Sequence, residues 1–212
     1  MSTIKKLPLY LDYDGTLVDT SKIIPEVYYL LTGVKPLKEF SVTWNLDDVF
    51  PPRADRDVIH KIFDIPLFFK LADSNIFPSA LHILYEISQY YDIHIVSCGT
   101  ESNLKLKEEW CKEHIPFITS FIGLNQTSKT FDKSSVAKNG VIIDDRLDAL
   151  LSSENCLKIL FRYNDNSYEW QEGYKELLKD NKIDHVAFQW NEELRDLLIS
   201  YHHYITTQGE IC

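Results

Sequence analysis

The chain has 212 residues, 44% of them hydrophobic, four cysteines and a net charge of −10. That length and apolar content can bury one good core plus a small accessory unit. The acidic balance argues against a binder of duplex DNA or of an anionic membrane, either of which needs a basic surface.

The apolar run Leu7–Leu11 reads as a buried strand that ends abruptly in Asp12-Tyr13-Asp14-Gly15-Thr16. From about 18 to 75 the pattern is interrupted by helix-like pieces (26–31, 54–63 and 67–72), several prolines and a dense set of aromatics. Phe77-Pro78 opens a helix with proline in its first turn, with Ala80, Ile83, Leu84, Ile87 and Tyr91 on one face. A strand over 92–96 ends in Ser97-Cys98-Gly99-Thr100. Thr100 caps a helix that carries Leu104, Trp110 and Cys111, with Glu101 favourable in its first turn. Residues 116–122 read as a strand, and Lys133 opens a helix after Asp132. The strand 140–143 ends in Asp144-Asp145-Arg146. A short helix over 147–151, a strand at Leu157–Phe161, a helix over 168–178 and a last strand over 185–190 follow. Asn191 caps the closing helix, whose inward residues are Leu194, Leu197, Leu198 and Tyr201, and 206–212 forms a frayed tail. Strands separated by helices predict a parallel sheet with right-handed crossovers.

The chemistry gathers at three strand ends. Side chains alternate along a strand, but where it ends and the chain turns, Asp12 and Asp14 can converge on one point. Such a pair needs a cation at neutral pH, and hard carboxylate oxygens suit Mg²⁺. Gly15 lets the backbone leave the strand tightly and brings amide N–H groups near an anion. Ser97 with Gly99, and Asp144 with Asp145, stand at the other two tips, as expected for a site at the carboxyl ends of an open parallel sheet. Cys98 lies beside Ser97, but no histidine stands in a motif-like place to activate it as a nucleophile. No segment approaches an apolar membrane span, and Met1-Ser-Thr-Ile-Lys-Lys lacks a signal-type apolar core. Cys98, Cys111, Cys156 and Cys212 show no CxxC spacing, so reduced thiols and a cytoplasmic setting are expected.

With these three signals in this order, the chain resembles the haloacid dehalogenase-like (HAD) phosphohydrolases: Asp12 to Thr16 match the first motif, Ser97 the second and Asp144-Asp145 the fourth. Leu67-Phe68-Phe69-Lys70-Leu71, Phe77-Pro78-Ser79-Ala80, residues 141–148 and the ending with Tyr163-Asn164 and 185–190 are similar to the 5′(3′)-deoxyribonucleotidases of bacteria and phages. The resemblance implies an α/β fold, a Rossmann-like parallel sheet flanked by helices with a small helical cap inserted after the first strand. The expected division is a core of 1–17 and 76–205, a cap of 18–75 and a flexible tail of 206–212. It also implies Mg²⁺-dependent hydrolysis of a nucleoside 5′-monophosphate through an aspartyl-phosphate intermediate.

On chemical grounds Asp12 is then the nucleophile and Asp14 the acid and base. Mg²⁺ is held by the Asp12 side chain, the Asp14 carbonyl, and Asp145 or Asp144. Ser97 and the backbone at Cys98 and Gly99 bind phosphoryl oxygens. The family pattern requires a lysine upstream of the fourth motif; Lys133 is best placed, with Lys129 and Lys138 competing. Most aromatics of the interruption form the cap's own core, while Phe40, Trp44 and Phe69 are candidates to stack a nucleobase, worth about 1–3 kcal/mol. The expected partner is thus a small phosphomonoester, with no membrane and no extended nucleic acid, and a homodimer is compatible with the sequence. Alternatives are a HAD phosphatase of another small metabolite or of nucleic-acid phosphate ends, and a non-catalytic binding module. A dehalogenase needs no second acid, so Asp14 counts against it.

Overall fold

The run Leu-Pro-Leu-Tyr-Leu forms strand β1 (Leu7–Leu11), a central strand of a six-stranded sheet, in the computed structural model, which describes residues 5–38, 49–125, 131–165 and 168–208. The other strands are β2 (Tyr91–Gly99), β3 (Ser120–Asn125), β4 (Val141–Asp144), β5 (Leu157–Phe161) and β6 (His185–Ala187). Their order is β3-β2-β1-β4-β5-β6, and every pairing is parallel. The chain winds outward from β1 to β3, returns, and winds the other way from β4 to β6. The reversal falls between β1 and β4, where a parallel sheet opens a crevice at its carboxyl end. Leu11 stands level with Ile95 on one side and Ile143 on the other, so three strand tips meet there. Both sheet faces are covered: Val141, Ile143, Ile159 and Phe161 join the main core, while Ile142 and Leu160 join a smaller cluster on the other face.

Helices α1 (Thr20–Thr32), α2 (Arg56–Lys61) and α3 (Pro66–Ala72) lie in the stretch inserted after β1. Two backbone bonds pinch its ends together, from Asp19 N to the Asn75 carbonyl at 2.8 Å and from Phe77 N to the Leu17 carbonyl at 3.0 Å. The remaining helices are α4 (Ala80–Ile87), α5 (Glu101–His114), α6 (Leu147–Ser152), α7 (Tyr174–Lys179) and α8 (Glu192–Gln208). Among the described residues no helix is long and apolar enough to cross a membrane.

Several boundaries differ from the pattern in the sequence. Helix α1 begins at Thr20 rather than at 26 and keeps Pro25 inside it. Pro25 removes one backbone bond, and burial of Ile23, Ile24, Val27 and Tyr28 outweighs that loss. Tyr91 belongs to β2, not to the face of α4, and its hydroxyl donates to the Leu198 carbonyl at 2.7 Å. β3 starts later than expected, and the last strand ends at Ala187. The expected helix over 168–178 is broken by Gly173, at φ 79°, into a 3-10 turn (Glu169–Gln171) and α7. No helix follows Asp132, whose carboxylate instead accepts from Ser134 N in a turn. At the other end α8 runs on through Gln208, so the first residues of the expected tail are helical.

Candidate active site

Asp12 continues β1 by one step, its N–H donating to the Ile143 carbonyl at 3.0 Å. The chain then curls back: Gly15 takes φ +70°, and the Tyr13 carbonyl accepts from Leu17 N and Val18 N. A Cβ on Gly15 would lie 2.5 Å from Asp145 Oδ2, so glycine is required there both for the turn and for the close approach. Trp190 locks the turn by donating its indole N–H to the Thr16 carbonyl at 2.9 Å.

Carboxylate oxygens of Asp12, Asp144 and Asp145, all buried, lie within 4.8 Å of one another. Lys133 sits among them, 2% exposed, and donates to Asp12 Oδ1 at 2.5 Å, Asp144 Oδ2 at 2.6 Å and the Val96 carbonyl at 2.7 Å. Burial opposes its charge, but Asp12 and Asp144 outweigh burial and raise its pKa, so it stays an ammonium. Lys133 is placed by its own N–H, which donates to Ser152 Oγ on α6 at 2.9 Å. Asp144 Oδ1 accepts from Arg146 N at 2.9 Å. Burial pushes both Asp144 and Asp145 upward; Lys133 works against this at Asp144, and the neighbouring carboxylates add to it at Asp145.

Asp14 meets a second lysine. Lys107, on the inner face of α5 and 1% exposed, donates to Asp14 Oδ2 and to Ser97 Oγ, the latter at 2.9 Å. Asp14 Oδ1 is buried with no partner among the described residues. Burial raises the Asp14 carboxyl, Lys107 lowers it and Asp12 raises it, with a net upward direction. Lys107 was not among the residues expected from the sequence. Its signal was a lysine three residues after Leu104 and four before Cys111, inside an apolar stripe at helical spacing.

The other expected residues divide clearly. Ser97 is fully buried at the tip of β2, with Cys98 and Gly99 beside it. Burial pushes the Cys98 thiol up to about 12, which leaves it neutral at physiological pH and agrees with its exclusion as a nucleophile. Lys138 is half exposed and pairs with Glu154 at 3.3 Å, away from the carboxylates. Phe69 is 8% exposed and packs on Phe68 at 5.3 Å, within the core of the insertion. Phe40, Trp44 and Lys129 lie outside the described residues. The insertion reaches the β2 tip through Asp64, whose Oδ1 accepts from Thr100 Oγ at 2.9 Å and Ser102 Oγ at 2.8 Å. Asn103 adds a bond to the Phe63 carbonyl at 2.6 Å.

A central strand ending in two acids, a buried serine on one neighbour and a buried acid pair on the other define a haloacid dehalogenase-like phosphatase. The chain belongs to the family described as "5′ nucleotidase, deoxy (Pyrimidine), cytosolic type C protein", whose model matches residues 5–179. Solved structures share the fold at low identity. A conserved haloacid dehalogenase-like protein of Agrobacterium tumefaciens has 15% identity and a TM-score of 0.59, over 93% of this chain and 99% of that one. A β-phosphoglucomutase of Clostridium difficile has 14% identity and a TM-score of 0.54, over 95% and 100%. A HAD-hydrolase of Bacillus subtilis, bound to magnesium, has 13% identity and a TM-score of 0.52, over 92% and 99%. No curated protein sequence matches the chain.

Proposed function

We propose that this phosphatase hydrolyses nucleoside 5′-monophosphates, deoxyribonucleotides foremost, with Mg²⁺ and through an aspartyl-phosphate on Asp12. The observation that carries this reading is the convergence of Asp12, Asp144 and Asp145 within 4.8 Å around a single buried lysine. Three carboxylates against one ammonium leave negative charge to be balanced, and the donor set is all hard oxygen, which fits Mg²⁺. Both oxygens of Asp144 are engaged, by Lys133 and by Arg146 N, whereas Asp145 Oδ1 has no partner among the described residues. That difference supports Asp145, with the Asp12 side chain and the Asp14 carbonyl, as the direct ligands. When bound, the ion offsets charge on the transferring phosphoryl oxygens.

The steps then fall to the chain's own residues. An Asp12 oxygen attacks phosphorus as the bond to the ribose 5′ oxygen breaks, and Asp14 gives that oxygen its proton. Asp14 then takes a proton from a water that attacks the phosphorus of the acyl phosphate, which releases inorganic phosphate and restores Asp12. Ser97, Lys133 and the backbone at Cys98 and Gly99 hold the phosphoryl oxygens. The unpartnered Asp14 Oδ1 supports its assignment to the leaving oxygen. The nucleotide substrate is supported by the family and by the helical insertion, which in this reading caps the site as residues 18–75. The cysteine spacing and the family's description support a cytoplasmic setting.

The test is a substrate panel. Nucleoside monophosphates should be hydrolysed with higher kcat/KM than ribose 5-phosphate or p-nitrophenyl phosphate. Equal values across the panel would move the assignment to a phosphatase of another small metabolite.

A further inference from the structure

Asp145 leaves β4 in a turn, and the residues that hold it come from a different part of the chain. Trp170 donates its indole N–H to Asp145 Oδ2 at 2.7 Å. Its neighbour Gln171 donates to the Asp145 carbonyl at 2.7 Å and to the Phe161 carbonyl at 3.0 Å. Two consecutive residues thereby grip the side chain and the main chain of one acid. The grip is itself anchored: Gln171 is 1% exposed and accepts from Arg162 at 3.0 Å, and the Trp170 ring stacks on Tyr168 at 4.8 Å. On the opposite side the same Oδ2 stands over Gly15, in space that any Cβ would fill.

We propose that Trp170 is a positioning residue for the metal: it ties one oxygen of Asp145 so that the other is presented to Mg²⁺ alongside Asp12. The inference rests on the reading of Asp145 as a metal ligand given above. Indole suits the task because it is a donor only, so it orders the carboxylate without competing as a ligand. Without that bond, the Asp145 carboxylate faces two neighbouring carboxylates with no other side-chain hydrogen bond among the described residues to fix its orientation. Residues that orient a ligating carboxylate typically change metal affinity by about 10–100-fold when removed.

The experiment compares the full wild-type chain with Trp170→Phe, which keeps an aromatic ring and loses the N–H, and Trp170→His, which retains a ring N–H. Mg²⁺ binding is read by calorimetry, and p-nitrophenyl phosphate turnover is followed across Mg²⁺ concentrations. Trp170→Phe should raise the Mg²⁺ Kd by about 10–100-fold, with kcat restored at saturating Mg²⁺ and part of the affinity recovered in Trp170→His. An unchanged Kd, or a loss of kcat that no Mg²⁺ concentration restores, overturns the assignment and leaves Trp170 as ordinary packing. If the variants do not fold, the assigned indole ¹H–¹⁵N signal of Trp170 in the wild type decides. It should shift over the range in which Mg²⁺ binds, and a signal that stays still overturns the proposal. A wild type that turns over without binding Mg²⁺ sinks the metal reading itself, which is a separate result.

Discussion

Lys107 stands on the buried side of α5 with its ammonium between Asp14 and Ser97. A buried lysine is tolerated only where it is paired, and here the pair includes the proposed acid of the reaction. By holding Asp14 Oδ2, Lys107 leaves Oδ1 to face the departing oxygen, and that placement matters most when this oxygen needs a proton. Lys107→Met should therefore cut kcat/KM for a nucleoside monophosphate by about 100-fold, within the usual range for general acid–base catalysis. The loss should be much smaller for p-nitrophenyl phosphate, whose phenolate leaves without a proton. Equal losses on both would assign Lys107 to holding Ser97 at the phosphoryl group rather than to the proton transfer. Asp12→Asn removes the proposed nucleophile rather than its support, so it should abolish turnover and covalent phosphate labelling on every substrate while leaving the melting temperature close to that of wild type. Labelled, active Asp12→Asn protein would exclude Asp12 as the residue that carries the phosphoryl group.

At the scale of elements, the insertion after β1 carries the question of substrate. Its ring Phe69 is packed against Phe68 inside the insertion's core. Phe69→Ala should thus act through stability, costing about 3–5 kcal/mol as large-to-small core changes do, and should lower activity toward all substrates alike. Phe40→Ala and Trp44→Ala make the contrast. If either ring stacks a base, nucleotides should lose about 1–3 kcal/mol of transition-state binding, while p-nitrophenyl phosphate is scarcely affected. Steady-state kinetics beside a thermal melt separates the two behaviours. Elements with one strong period were legible in the chain: β1, α4, α5 and α8 follow their apolar spacing. Those ruled by a single residue were not. The pattern placed a helix only over 26–31, where packing carries α1 back through Pro25 to Thr20, and Gly173 broke a continuous helical pattern into two pieces.

Over the whole molecule, the proposed Mg²⁺ site in the clustered carboxylates would link metal binding to folding. A cation that binds only the folded chain stabilises it by about 2.7 kcal/mol at a concentration of one hundred times its Kd. For a chain of this size that corresponds to about 5–10 °C in Tm. Chelation should abolish phosphatase activity and lower Tm by that amount, and added Mg²⁺ should restore both in a calorimetric scan. Full activity in chelator would remove the role of the carboxylate cluster in metal binding.

What the sequence determined by itself is what local order encodes. Apolar runs broken by helical stripes dictated a parallel α/β sheet, and Asp12 to Thr16, Ser97 and Asp144-Asp145 each advertised a polar strand tip. For the lysine, the family resemblance left Lys133 competing with Lys129 and Lys138, and the structure sets Lys133 against Asp144, 11 residues away, and Asp12, 121 residues away. Only the tertiary structure could decide which distant residues complete the site. Lys107 pairs with an acid 93 residues away, and Trp170 bonds one 25 residues away across a broken helix. The difference is physical: periodicity reports which side of an element is buried, whereas the partner met there is chosen by how β1, β2, β4 and their flanking segments pack together.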